Sequence, residues 1–191
     1  MPDTQGPSAA DYATHDVLNQ PPERGDHDGF GADVALVETV ARLGADWSAG
    51  HLHEVGRRIG SAHLAELAWQ ANRHGPELRT HDRFGHRIDQ VDFHPAWHEL
   101  MGLAFGHGLH GYGWSHADRP GAQVARAAIS YLWNQGENGV CCPASMTFAA
   151  IPLLRTDPAL AAAWEGRVLS TRYDPCQGPA EGKTGATVGM A

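Results

Sequence analysis

The chain has 191 residues, is 42% hydrophobic with 23 Gly and 12 Pro, and carries a formal net charge of -8. That length is enough for one domain with a real core, whereas the acidic balance and the scattering of the 14 Lys and Arg, with only Arg57 and Arg58 adjacent, argue against a nucleic-acid-binding face. No apolar run reaches the ~20 residues a membrane span requires, the N-terminus lacks the basic start and apolar core of a signal peptide, and an odd count of three Cys points to reduced thiols in a cytoplasmic protein.

Residues 1–31 are polar and rich in Gly and Pro, and read as a flexible arm. Within it Val17–Pro22 can dock as an extended strand, because Pro21 bars helix. From Asp33 the period becomes helical. Val34, Val37, Val40 and Ala41 share a face, with Asp33 as N-cap and Gly44 as stop. Ser48–Ile59 repeats the form with Leu52, Val55 and Ile59 inward, and Ser61–Arg73 follows with Leu64, Leu67, Ala68 and Ala71 inward. Gly75-Pro76 ends that run.

The period changes over Leu78–Phe93, where Ile88, Val91 and Phe93 alternate only imperfectly after Arg83-Phe84-Gly85-His86; a hairpin-like excursion fits better than helix. Helix resumes at Pro95, with Trp97, Leu100, Met101, Ala104 and Phe105 at core spacing. Gly121–Gln135 is amphipathic, with Val124, Ala127, Ala128, Tyr131 and Leu132 as its expected inner face. A helix over Pro143–Leu154 and a short one from Asp157-Pro158 through Trp164 complete the body. After Ser170 the chain turns to Pro, Gly and polar residues. It finishes on Thr184–Ala191, which has strand character.

Thirteen His invite a metal reading. His94 with His98, His107 with His110, and His51 with His53 are each close in sequence, yet none is completed to a ligand set at a recognisable spacing. Surface or satisfied interior histidines are the expected outcome, so no metal-binding residue is assigned. Cys141-Cys142 is tied to no His or Asp by a motif, and reads as small apolar packing rather than a nucleophile. The helix that follows has two readings. Cys141, Ala144, Ser145 and Phe148 fall on one face, either as ordinary core or as the wall of an apolar ligand pocket. No G-x-G-x-x-G, P-loop or G-x-S-x-G is present, and no residue is assigned a catalytic or cofactor-binding role.

Several strings together carry a resemblance: V-L-N-Q-P-P (17–22), V-D-F-H-P-A-W-H-E-L-M (91–101), V-A-R-A-A (124–128), C-P-A-S-M-T-F-A-A-I-P-L-L (142–154), R-Y-D (172–174) and V-G-M-A (188–191). In their order and spacing the chain resembles the N-terminal part of the alkylation-response, AidB-type branch of the acyl-CoA dehydrogenase superfamily, over about Asp16–Ala191. The resemblance implies a mostly α fold: residues 32–170 as the N-terminal helical domain with a hairpin-like excursion, and residues 171–191 as a linker and the first strand of a central β domain. It implies FAD gripped by the central and C-terminal domains, a carboxylate base on the C-terminal domain that takes the α-proton of an acyl thioester, a homotetramer, and double-stranded DNA bound by a C-terminal basic surface. The family's flavin-contacting M-T-E-x-x-x-G-S-D stretch would begin one residue beyond Ala191. The chain is therefore expected to be inactive by itself, to need the β and C-terminal helical domains as partners, and to be poorly behaved as a monomer. A stand-alone interaction module assembling with a full-length homologue, and a decayed or incomplete gene product, are the alternatives.

Overall fold

A computed structural model describes residues 12–22 and 24–189 of the chain. Among these residues eight α-helices and one hairpin follow in order: α1 Val34–Arg42, α2 Ala49–Ile59, α3 Ala62–Arg73, β1 Glu77–His81, β2 Arg87–Asp92, α4 Pro95–Gly106, α5 Tyr112–Ser115, α6 Ala122–Gly136, α7 Cys141–Leu154 and α8 Pro158–Val168. The mostly α fold with a hairpin excursion matches expectation.

Local chemistry explains where most of these elements start. The Asp33 carboxylate accepts from Leu36 N–H at 2.9 Å, Ser61 Oγ from Leu64 N–H, and Asp157 from Ala159 and Leu160 N–H, so three helices open on a side chain that satisfies otherwise orphaned donors. The hairpin pairs Leu78 with Val91 and Arg79 with Gln90, with a register irregularity before His81. Its tip is closed by Asp82, which accepts from the Phe84 and His86 N–H groups.

The core gathers around α6. Ile129, Leu132 and Trp133 are fully buried in one cluster with Leu52 and Val55 of α2, Leu64 of α3, and Leu100, Met101 and Phe105 of α4. Burying side chains of this size stabilises by about 1.5–3 kcal/mol each. Gly121 starts α6 at φ +65°, where a Cβ would stand 2.7 Å from Leu43 O; only glycine lets the α1 end and the α6 start pass this closely.

The faces of α1 and α6 differ from expectation. Val34, Ala41, Ala127 and Tyr131 point to solvent, and Val124 is only half-buried. The buried stripe of α6 is Ala122, Ala125, Ala128, Ile129, Leu132 and Trp133. Both faces of this alanine-rich helix are apolar, so the period alone does not choose between them. The rejected face joins Leu36, Val40 and Leu43 in an open apolar groove.

The ends also differ. Residues 12–22 are exposed and contain no strand, and residues 1–11 lie outside the described residues. The end of the expected arm is anchored: His27 N–H donates to Gly60 O, Gly29 N–H to Gly56 O, and Phe30 is buried. Helix α8 runs past Trp164 to Val168. The strand expected at Thr184–Ala191 is not formed over residues 184–189, and the last two residues lie outside the described ones. A strand needs a neighbouring strand to take its backbone groups. Here Ala186 N–H instead donates to Arg167 O and Val188 N–H to Thr147 Oγ1, both at 3.1 Å.

Candidate functional site

Helix α7 begins at Cys141, two residues before the expected Pro143. Its start is organised by Glu137, a buried carboxylate that accepts from Gly139 N–H at 2.6 Å and Val140 N–H at 2.9 Å. The four residues expected to form one pocket wall have different surroundings. Ala144 is fully buried in the core. Phe148 stacks on Trp114 with ring centroids 5.1 Å apart, its carbonyl accepts from Trp114 Nε1–H, and the Arg126 guanidinium lies 4.0 Å from its ring centroid. Cys141 is half-buried and donates weakly to Glu137 O. Burial, then the Glu137 carboxylate, push its thiol pKa up against the pull of Arg126, so it is not an activated nucleophile.

Only Ser145 of the four is open. It belongs to a different stripe, with Cys142, Ala149 and Leu153, all exposed. These lie at i, i+3, i+7 and i+11, so they form one small-to-apolar seam along α7.

A separate cleft of ≈ 410 Å³ lies between the hairpin, α4 and a strap formed by residues 172–187. Its wall carries Phe93, Trp97, His98, Met101, Phe105 and Tyr173, and α7 contributes Pro143. Phe93 and Trp97 stack at 3.9 Å between centroids. The strap is tied down at several points: Tyr173 Oη lies 2.7 Å from His98 Nδ1, Gln177 donates to Val91 O, and the Asp174 carboxylate accepts from Cys176 and Thr184 N–H. A Cβ at Gly185 would lie 2.0 Å from Arg172 O, so the strap can fold back on itself only at a glycine. Burial, then the Asp174 charge, push the Tyr173 phenol up to about 12. Asp174 itself is held below the usual carboxylate range, first by the Cys176 N–H and then by the Thr184 N–H, with Lys183 adding a smaller pull.

The histidines do not converge on a metal. His94 Nδ1 caps α4 by accepting from Ala96 N–H, whereas His98 meets Tyr173. His107 meets Leu103 O, His51 meets His107 O, His53 meets Asp28, and His110 is buried under Phe105. Among the described residues there is no group of three or more His, Cys, Asp or Glu that could hold a metal ion. Nor is any helix among the described residues long and apolar enough to cross a membrane.

The sequence profile of the adaptive response protein AidB N-terminal domain matches residues 19–175. AidB of Escherichia coli (strain K12) is 42% identical over 94% of the chain.

The chain belongs to the AidB N-terminal domain family.

A second curated relative, acyl-CoA dehydrogenase family member 11 of Caenorhabditis elegans, is 27% identical over 67% of the chain. The chain spans 33% of the length of Escherichia coli AidB and 21% of that of the nematode protein. Among solved structures, the apo form of Bd2924 superposes with a TM-score of 0.71 at 23% identity, over 80% of the chain and 32% of its own length. ACDH-11 of Caenorhabditis elegans, solved in complex with C11-CoA, gives 0.68 at 24%, over 88% and 30%. At these identities the structures establish the fold. The family assignment agrees with the resemblance drawn from the sequence.

An acyl-CoA dehydrogenase relationship raises the question of flavin. A dinucleotide pyrophosphate is commonly held by the free amides of a helix N-terminus. Here the Asp33 and Asp157 carboxylates already accept from first-turn amides of α1 and α8, whereas the starts of α2, α6 and α7 have no side-chain cap, and no dinucleotide site is assigned to this domain.

Proposed function

We propose that this chain is the N-terminal helical part of an FAD-dependent acyl-CoA dehydrogenase homologue of the alkylation-response branch, and that its α7 seam walls the acyl-thioester site. In this reading, flavin and catalytic base belong to the β and C-terminal helical domains, and the assembly is a cytoplasmic homotetramer. The chain's share is to exclude water and to shape the channel along which the acyl group lies. The observation that carries the reading is the open Cys142–Ser145–Ala149–Leu153 seam, in a chain 42% identical to AidB over nearly its whole length. Small residues leave room for an alkyl chain, and Leu153 supplies apolar surface at one end. The nematode structural relative holds C11-CoA, a ligand of the same class.

The test is complementation in trans. The chain is co-expressed with the part of Escherichia coli AidB that lies beyond the matched third. The expected product is a co-purifying yellow complex whose flavin absorbance bleaches on addition of acyl-CoA. Ser145→Trp should keep the flavin and abolish the bleaching. Failure to associate, or full bleaching by the Ser145→Trp complex, would overturn the reading. A stable complex without flavin would instead favour the interaction-module alternative, which the exposed groove between α1 and α6 supports.

A further inference from the structure

The cleft under the strap has a composition that the α7 seam lacks. Its wall is aromatic and its charged groups are unequally satisfied. Asp89 is paired with Arg87 at 2.6 Å, and Asp174 is saturated by Cys176 and Thr184. Arg172 and Lys183, which also line the cleft, form no ion pair among the described residues. Arg172 and Lys183 thus line the cleft without an ion pair of their own, beside the already engaged carboxylates of Asp89 and Asp174, the second of which Lys183 also attracts. His98 adds a polar group to the wall. Its Nδ1 is engaged by the Tyr173 hydroxyl, and its Nε2 has no partner among the described residues. With the phenol as donor, the neutral imidazole carries its proton on Nε2 and can donate it.

We propose that this cleft is a binding site for an alkyl carboxylate, with the tail on the Phe93, Trp97 and Phe105 wall and the carboxylate between Arg172 and Lys183. The volume of ≈ 410 Å³ lies in the ordinary range of small-ligand sites, about 300–1,000 Å³. A carboxylate matches a guanidinium fork and an ammonium better than a neutral head would, and burying the tail drives the binding. The inference does not rest on the acyl-thioester reading: every group invoked belongs to this chain, and none lies on the α7 seam.

Calorimetric titration of the chain, fused to a soluble carrier with the carrier alone as blank, tests it with three probes. Decanoate below its micellar concentration should bind. Decanol, which keeps the tail without the charge, and inorganic phosphate, which keeps charge without the tail, should each bind at least about tenfold more weakly. The Arg172→Ala/Lys183→Ala double variant, and Lys183→Glu alone, should each lose at least about tenfold in decanoate affinity with an unchanged helical circular-dichroism spectrum. Equal binding of decanol and decanoate, unchanged affinity in both variants, or no heat above the carrier blank would overturn the proposal.

Discussion

Tyr173 and His98, 75 residues apart in sequence, are joined by a 2.7 Å hydrogen bond that fastens the 172–187 strap across α4. The bond connects the end of the helical body to its centre, because α4 carries the buried Leu100, Met101 and Phe105. It also forms part of the aromatic cleft. Local backbone preference cannot produce this contact; it depends on the whole body being folded.

Tyr173→Phe removes that bond and keeps the ring. The expected loss is about 1 kcal/mol of stability, read by urea denaturation. The strap should also become more accessible to limited proteolysis around Lys183, since this segment has few buried apolar anchors. Unchanged proteolysis would show that Gln177 and Asp174 hold the strap without Tyr173.

Glu137→Gln tests the start of α7. The buried carboxylate accepts from two backbone donors, and the amide would turn its NH₂ toward one of them. Losing a charge-assisted bond and leaving a buried donor unsatisfied should cost roughly 1–3 kcal/mol, seen as a lower midpoint in chemical denaturation. Glu165→Gln, at an exposed ion pair with Arg155, is the matched control and should cost less than about 1 kcal/mol.

Stability should fall on acidification through His110. Burial holds its pKa at about 4, below the ordinary 6.5; the nearby Ser170 and Leu169 backbone only partly offsets this, and Arg126 adds to the depression. The folded state therefore binds fewer protons than the unfolded one. The contribution is fully present above pH 6.5 and is lost as pH falls toward 4, by about 3 kcal/mol in all. His110→Phe should flatten the denaturation midpoint between those two pH values. An equally steep profile in the variant would assign the acid sensitivity elsewhere.

The apolar groove between α1 and α6 should govern solubility. Ala127→Arg places a charge on an exposed helical position beside Leu43, Val124 and Tyr131. The expected result is a higher soluble yield and weaker binding of an apolar dye, with stability changed by no more than about 0.5 kcal/mol. If the groove is covered in an assembly, the same change should weaken that assembly.

The candidate α7 site was half legible in the sequence. The helix, its apolar character and Ser145 were all visible. The open stripe was not, because one residue turns a side chain by about 100° around a helix, and Ala144 and Ser145 are equally small. Only the packing of Trp114 and Arg126 on Phe148 shows which side faces in. The same ambiguity placed Val124, Ala127 and Tyr131 on the inner face of α6, whereas Ala128 and Leu132 are buried as expected.

Most of the helices and the hairpin were legible because capping by Asp33, Ser61 and Asp157, the turn at Asp82–His86 and the helical period are set by residues within a few positions of one another, and the family was legible in the order of the longer strings. Tertiary structure alone decided which stripe of α6 and α7 is buried, that Phe30 anchors the arm, that residues 184–189 lie against Thr147 and Arg167 instead of pairing as a strand, and that Tyr173 closes a cleft over His98. These outcomes depend on contacts between residues far apart in the chain, where burial of one apolar face excludes another and each buried N–H takes whichever acceptor the packing brings to it.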